Sequence, residues 1–293
     1  MFKKIVVTLC VCVGALSALD KGLDKDVLER IVQPKLSYEN SYISDASVSG
    51  SEGSVSVKKN TLRLNNQIIG VSYSNWAFDW SDVGSLPFGN GVDNPIEEMH
   101  SIRVNATLPY KINEKWFWLS QLSLNSTFEK EMDDSYGAGF FSFASYKLDE
   151  DHSIQIGAFA NYHPITTLAM PVMSYSYRAK KRDGFQLILG FPRAYAGYFI
   201  NSQTLLRTGI IFSQSVIKLA DDSTLQRGGY VEAKDYMGNI GVVHELSDDF
   251  RLESDLLYSI KRDFILYDDG GVEQQSYSIE PSFGFNLRLR YLF

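Results

Sequence analysis

The chain has 293 residues, of which 13% are aromatic, and a formal net charge of −7 at pH 7. This acidic balance argues against nucleic acid and against an anionic membrane surface as partners. Tyr, Phe, Ser, Asn and Gly are plentiful and there are only 8 prolines, which favours one large domain rich in β-strands over an α-helical or disordered chain.

Residues 1–18 have the pattern of a secretory signal peptide. Two lysines precede an apolar run over residues 5–16, and small residues follow up to Ala18. The run is too short to cross a bilayer as a helix. Both cysteines, Cys10 and Cys12, lie in this segment, so its removal would leave no disulfide, no thiolate nucleophile and no cysteine metal site.

Residues 19–60 are the least regular part of the chain. Charged residues crowd positions 24–30, and a stretch rich in Ser and Gly covers positions 44–56. We predict a periplasmic N-terminal segment here. A short strand at 35–42 would either enter the lumen of a barrel or pair with a sheet edge, and the alternation alone does not decide between these alternatives.

Residues 61–293 alternate between apolar and polar side chains in about twelve segments separated by turns. The first segment is expected to run from Thr61 to Trp76, and the apolar set changes parity near Ile68 and again at Tyr236, which predicts bulges or strands that extend beyond an apolar layer. No segment after residue 18 is long and apolar enough for a membrane helix, so a location in a membrane would require a closed barrel.

The connections between these segments alternate in length. Counted back from the C-terminus, short turns such as 149–152, 201–204 and 246–249 fall on one side, whereas the longer and more acidic connections 79–98 and 264–276 fall on the other. Short periplasmic turns and longer extracellular loops are typical of a transmembrane barrel and are not expected of a soluble β-sandwich.

Aromatic residues cluster near the ends of the predicted strands. At the interface of a membrane, indole and phenol groups would lie at the level of the lipid headgroups. We predict this position for Trp76, Phe78 and Trp80, for Tyr110, Trp116 and Trp118, and for Tyr291 and Phe293.

The last predicted strand, 278–293, has two faces of different chemistry. One face is apolar and ends with Leu287, Leu289, Tyr291 and Phe293, while the other carries Asn286, Arg288 and Arg290. A strand of this pattern that ends on an aromatic residue resembles the closing strand of single-chain bacterial outer-membrane β-barrels. The resemblance implies a location in the outer membrane of a Gram-negative bacterium, with Leu289, Tyr291 and Phe293 as the signal recognised by the barrel-assembly machinery. The alternative is an edge strand of a secreted β-sandwich.

A second resemblance concerns the middle of the chain. The run Gly190, Phe191, Pro192 and Arg193, followed by Tyr198 and a long strand, is similar to an uncharacterised family of outer-membrane barrel domains with a proline between two short strands. The family implies no activity. Pro192 cannot donate to a strand ladder, so a strand is expected to end there in any case.

Charged residues on the predicted inward face are the candidate lumen or constriction residues. Glu253 is expected roughly opposite Arg288 across the last two strands. Such a set is typical of lumen salt bridges in a small barrel, and a pore constriction ring is the alternative. The set consists of Arg63, Arg103, Arg251, Glu253, Asp255, Arg288 and Arg290.

The sequence therefore predicts an all-β protein, a transmembrane antiparallel up-and-down β-barrel of about twelve strands formed by residues 61–293. We expect a passive channel or uptake protein for small solutes, in contact with outer-membrane lipid and without cofactor or metal. One alternative is a lipid-modifying hydrolase that uses His100 with Glu97 and Glu98, or His163. The other alternative is a structural or surface-binding barrel that transports nothing.

Overall fold

The structure is a computed structural model that describes residues 33–178 and 182–293. Within these ranges no helix is long and apolar enough to cross a membrane. A single 3-10 turn covers Val83–Ser85. The strands are β1 (Lys35–Ser47), β2 (Ser54–Asn65), β3 (Ile69–Ser81), β4 (Glu98–Lys111), β5 (Trp116–Phe128), β6 (Tyr136–Lys147), β7 (His152–His163), β8 (Thr166–Arg178), β9 (Gly184–Gly190), β10 (Arg193–Asn201), β11 (Thr204–Lys218), β12 (Tyr230–Glu245), β13 (Phe250–Tyr267), β14 (Glu273–Ile279) and β15 (Ser282–Leu292).

Consecutive strands pair antiparallel around a closed barrel. β14 and β15 both pair with β13 and together form one strand of the wall. The barrel closes where β1 pairs with β15, with Tyr38 opposite Leu289. The wall therefore has fourteen strands, two more than the sequence suggested, and the up-and-down barrel is confirmed.

The two faces of the wall have opposite chemistry. On β13 the outward Leu256 is 58% exposed, whereas its inward neighbour Asp255 is 5% exposed. The residue paired with Leu256 on β12, Ile240, is 68% exposed. Because a soluble barrel would bury its apolar face, this apolar outer surface is a lipid-facing surface, and the chain spans a membrane.

The start of the barrel lies earlier than predicted. Residues 35–60 do not form a periplasmic segment, because β1 pairs with both β2 and β15 and β2 begins at Ser54. The stretch rich in Ser and Gly over 44–56 comprises the end of β1, the loop 48–53 and the start of β2, so its composition indicates a turn between strands and not a periplasmic segment. The predicted signal peptide, and residues 19–32, lie outside the described residues.

The two changes of parity have different causes. At Ile68 the segment predicted as one strand is a hairpin, because Asn66 Oδ1 accepts hydrogen bonds from the backbone N of Ile68 at 2.8 Å and of Ile69 at 2.7 Å. At Tyr236 the predicted bulge is confirmed, since Tyr236 pairs with Lys261 and the next residue pairs with Ser259, which leaves one extra residue on β13.

The β9–β10 hairpin is shorter than its neighbours and leaves a gap in the wall. β9 pairs with β8 only over 174–178, and β10 pairs with β11 only up to Ile211. Beyond the hairpin tip at Pro192, residues 166–173 of β8 and 213–217 of β11 have no ladder partner on this side among the described residues. We call the space between these two edges the lateral gap.

At the extracellular end β11 joins β5 instead of β10. Lys218 pairs in parallel with Phe128, and the backbone N of Glu129 donates to the carbonyl of Lys218 at 2.9 Å. The ring of described strands at this level consists of β1–β5 and β11–β14, which is nine strands, and an odd number requires one parallel junction. Since barrel diameter grows with strand number, the barrel is narrower at this level than in the fourteen-stranded part. We call these nine strands the narrow ring.

An apolar core fills the narrow ring. Trp80 on β3 is 8% exposed, and its Nε1 donates to the carbonyl of Ile96 at 2.7 Å, which holds the loop 82–97 over the core. The axial extracellular mouth is closed as a result. The core contains Ala46, Val48, Val55, Trp80, Phe88, Ile96, Met99, Ile217, Leu219, Val231, Ala233, Leu266 and Ile279.

This core corrects part of the aromatic prediction. Trp76, Phe78 and Trp80 do not lie at the lipid headgroups, because they occupy the inward face of β3 and pack in or against the core. A position near a strand end places an aromatic residue at the lipid interface only when its side chain also points outward. Tyr110 and Trp118, by contrast, are exposed on the outer surface near the short turns, as predicted.

Candidate channel lumen

A polar cavity of about 650 Å³ lies inside the barrel below the narrow ring. We call it the upper cavity. Most of its lining comes from inward side chains that alternate with the lipid-facing ones along the strands. These side chains include Lys59, Thr61, Arg63, Ser72, Arg103, Gln121, Asn125 and Asn161.

The carboxylates at this level are held by arginines. Glu253 is 3% exposed and lies 3.0 Å from Arg207 Nη1, 3.2 Å from Arg288 Nη1 and 3.1 Å from Arg290 Nη2. Asp255 receives two hydrogen bonds from Arg207, from Nε at 2.8 Å and from Nη2 at 2.6 Å. A buried pair that loses one partner costs about 3–5 kcal/mol, so this network ties β11 to β13 and β15 on the inner face of the wall.

A third carboxylate extends the same network to the first strand. Glu39 Oε2 accepts hydrogen bonds from Arg288 Nε at 2.9 Å and Nη2 at 2.6 Å. Because β1 and β15 form the closing pair of the barrel, this ion pair links the two ends of the chain. The acidic charges of the lumen are thereby neutralised at the wall.

Three basic residues of the upper cavity are not neutralised in this way. Among the described residues, no carboxylate oxygen lies within 4.0 Å of the charged nitrogens of Lys59, Arg63 or Arg103. Arg63 and Arg103 lie at one level, because both pair across Ser72 of β3, about 10 Å apart at two strand spacings. Lys59 Nζ lies 4.4 Å from the ring centre of Trp76. The cavity wall on β2–β4 therefore carries an excess of positive charge.

A second cavity of about 530 Å³ opens at the end with the short turns. We call it the lower cavity, and Ser145, Gln155 and Arg178 contribute to its lining. Between the two cavities, the inward positions of β6 and β7 are aromatic.

These aromatic residues are Phe141, Phe143 and Phe159. Phe141 pairs with Gln121, a residue of the upper cavity, and with Phe159 on the other side. The rings of Phe141 and Phe143 have centres 5.4 Å apart. Since cross-strand partners point to the same face, the three rings form an apolar stretch of the inner wall between the two polar cavities, and we call this stretch the Phe constriction.

The seven predicted lumen residues all lie on inward strand positions but do not form one ring. Glu253 meets Arg288 and Arg290, as the pairing of the last strands suggested. Asp255 belongs to the same network through Arg207. Arg63 and Arg103 line the upper cavity apart from that network, and Arg251 lies at the periplasmic end, where Nη2 is 2.5 Å from Glu245 Oε1. A role for any of them in solute passage stays a prediction.

Three charged residues of the ion-pair network and the basic wall were not predicted. Arg207 occupies an inward position of β11, which its alternation with Leu206 and Thr208 would have shown. Glu39 and Lys59 were missed because residues 19–60 had been assigned to the periplasm. Their alternation on β1 and β2 was the available signal.

The predicted assembly signal is exposed at the end of the closing strand. Leu289 is 42% exposed toward lipid, and Phe293 is 56% exposed. Tyr291 packs between Phe250 and Phe293, with ring centres 4.7 and 4.8 Å apart. The backbone N of Phe293 donates to the carbonyl of Pro34 at 3.1 Å. Recognition by the assembly machinery stays a prediction.

Among the described residues, the rim histidines make no contact that favours the hydrolase alternative. His100 faces outward, and its Nδ1 lies 2.9 Å from the hydroxyl of Tyr73 and 3.4 Å from Asn75 Nδ2. His163 is buried edge-on to Tyr230, with ring centres 5.5 Å apart. Glu98 is in contact with Asn75 at 3.4 Å.

The lipid-facing wall, polar lumen and antiparallel topology define a transmembrane β-barrel of the bacterial outer membrane. No family model and no curated protein matches the chain. Among solved structures it is similar to the KdgM porin, with 9% identity, a TM-score of 0.37 and coverage of 88% of this chain and 99% of that one. An outer membrane channel from Pseudomonas putida F1 has 11% identity, a TM-score of 0.47 and coverage of 89% and 96%. The NanC porin has 9% identity, a TM-score of 0.38 and coverage of 87% and 98%.

Proposed function

We propose that this barrel is a passive channel for small solutes and that it favours anions. The observation that carries the proposal is the upper cavity, a polar space in which Lys59, Arg63 and Arg103 have no carboxylate partner while the carboxylates Glu253 and Asp255 are held by arginines. Fixed positive charge on a pore wall raises the local concentration of anions and lowers that of cations.

The proposed solute path runs through the two cavities, from the upper cavity to the lower cavity. A solute in the upper cavity reaches the lower cavity past the Phe constriction, where apolar rings replace polar side chains. An apolar constriction slows hydrated ions and passes solutes that shed water easily. The channel is therefore expected to conduct weakly in simple salts and to remain selective.

The test is the reversal potential of the purified barrel in a planar bilayer under a gradient of potassium chloride. We expect an anion-selective potential, and Lys59→Gln is expected to lower the chloride to potassium permeability ratio by about twofold or more. Lys58→Gln is the matched control, because Lys58 is the next residue of β2 and has its side chain on the outer face. A cation-selective wild type, or equal shifts in both variants, would contradict the proposal.

A further inference from the structure

We propose that the lateral gap is a port in the barrel wall through which amphipathic organic anions enter the upper cavity. The gap lies between residues 166–173 of β8 and 213–217 of β11, above the hairpin tip at Pro192. This inference rests on the proposed channel function and assigns its entrance and its solute class.

The first argument is the state of the strand edges. Backbone N–H and C=O groups on the gap side of both edges have no strand partner among the described residues. In hydrocarbon each unsatisfied group costs several kcal/mol, so exposed strand edges do not occur where lipid tails contact them. The lateral gap must hold water or a polar solute, which is the condition for a port.

The second argument is that the upper cavity reaches the gap. Ser213, Gln214, Ser215 and Val216 are consecutive residues of β11, and all four line the cavity. Successive side chains of a strand point to opposite faces, so the cavity must extend around the β11 edge from the inner to the outer face. A wall without an opening would present only alternate residues to the lumen.

The third argument is that the axial mouth is closed. The apolar core fills the narrow ring, and the junction of β5 with β11 is reinforced by two further contacts. Glu129 Oε2 accepts from the backbone N of Ala220 at 2.9 Å, and Lys130 Nζ lies 2.7 Å from Asp222 Oδ1. The upper end of the lateral gap is closed as well, because Ile165 of the β7–β8 turn packs against the buried cluster of Val216, Tyr230 and Tyr267. The described structure therefore leaves the part of the gap between this contact and Pro192 as the route between the upper cavity and the outside.

The edges of the gap determine the class of solute. The β8 edge is apolar on both faces, with Met173 outward and 68% exposed and with Met170 and Val172 inward. The β11 edge offers hydroxyl groups at Ser213 and Ser215, while the amide nitrogen of Gln214 donates to Glu232 Oε1. An apolar body fits the first edge, and an ionised head fits the second edge and the basic wall beyond it. A carboxylate or sulfonate on an aromatic or aliphatic body has this chemistry.

The experiment closes the port reversibly in folded protein. Ser215→Cys is introduced into a background with Cys10→Ala and Cys12→Ala and labelled with benzyl methanethiosulfonate, which dithiothreitol removes. Proteoliposomes are loaded with 2-naphthalenesulfonate, an amphipathic anion, or with methanesulfonate, a hydrophilic one, and efflux is measured. Val92→Cys is the matched control, because Val92 is 82% exposed in the loop that covers the axial core.

We expect labelling of Ser215→Cys to slow naphthalenesulfonate efflux about tenfold and dithiothreitol to restore it, because a benzyl group occupies an opening one strand hairpin wide. Labelled Val92→Cys should transport as before. Unchanged efflux from labelled Ser215→Cys would overturn the port and leave the channel proposal intact. The solute class would be overturned if naphthalenesulfonate efflux needed the same or a higher concentration than methanesulfonate efflux to saturate. Efflux of neither anion from the wild type would overturn the channel and the port together.

Discussion

A lysine at Leu122 tests which face of the wall meets lipid. Leu122 follows Trp116 by six residues on β5, about 20 Å along the strand at roughly 3.3 Å per residue. With a strand tilt of about 40°, this places it about 15 Å above the periplasmic end of the strand and near the midplane of the apolar band. Its side chain is 44% exposed on the outer surface. Leu122→Lys is therefore expected to lower the free energy of unfolding by about 2–4 kcal/mol.

The matched control is Gln121→Lys, one residue earlier on the same strand and inside the upper cavity. That change removes one hydrogen bond, from Gln121 Nε2 to Thr107 Oγ1 at 3.0 Å, and costs about 1 kcal/mol or less because water and counter-ions reach the new charge. The measurement is the free energy of unfolding of both variants, from denaturant unfolding in lipid vesicles followed by tryptophan fluorescence. Equal losses of stability in the two variants would refute the assignment of faces and the membrane location that depends on it.

Three further outcomes are expected. Phe293→Asp should reduce the amount of folded barrel in the outer membrane, seen as loss of the faster-migrating unboiled form on a detergent gel, and a normal amount of that form would argue against the C-terminal signal. Phe141→Ala should raise single-channel conductance by opening the Phe constriction, while Phe140→Ala on the lipid-facing side of β6 should not, and a larger effect of Phe140→Ala would place the constriction elsewhere. The hydrogen bond from Lys130 holds the pKa of Asp222 below its ordinary value, so this loop contact is present above the usual aspartate range and is lost as pH falls through the lowered pKa. A carboxyl NMR titration should show that Lys130→Ala raises the pKa of Asp222. An unchanged pKa would mean that the ion pair of Lys130 with Asp222 does not stabilise the closed mouth.

The barrel and its two faces could be predicted because both arise from local alternation. The pairing of Glu253 with Arg288 followed from the position of two strands joined by one loop. The two strands beyond the predicted number of about twelve arise where composition outweighs alternation. The loop 48–53 is rich in Ser and Gly, a composition that also fits a periplasmic segment, and the turn at Asn66 uses a side-chain oxygen rather than glycine or proline, so neither hairpin is evident from composition.

The closed mouth and the lateral gap could not be predicted from local pattern. Both depend on the end of β11 meeting β5 rather than β10, a contact between residues 90 positions apart, Phe128 and Lys218. Alternation specifies which way a side chain points, but it does not specify how far each hairpin extends beside its neighbour. Trp80 shows the consequence, because its inward parity was visible in the sequence while the core that receives it was not.

The junction of β5 with β11 also sets an order of events in assembly. It cannot form until both strands have entered the wall. The five strands between them, β6 to β10, must by then occupy the wall below the narrow ring. Contacts that close long stretches of chain form late, because their loop entropy is repaid only when the rest of the structure is in place. We therefore expect the mouth of the barrel to close late in assembly and the extracellular apolar core to be the last part of the molecule to exclude water.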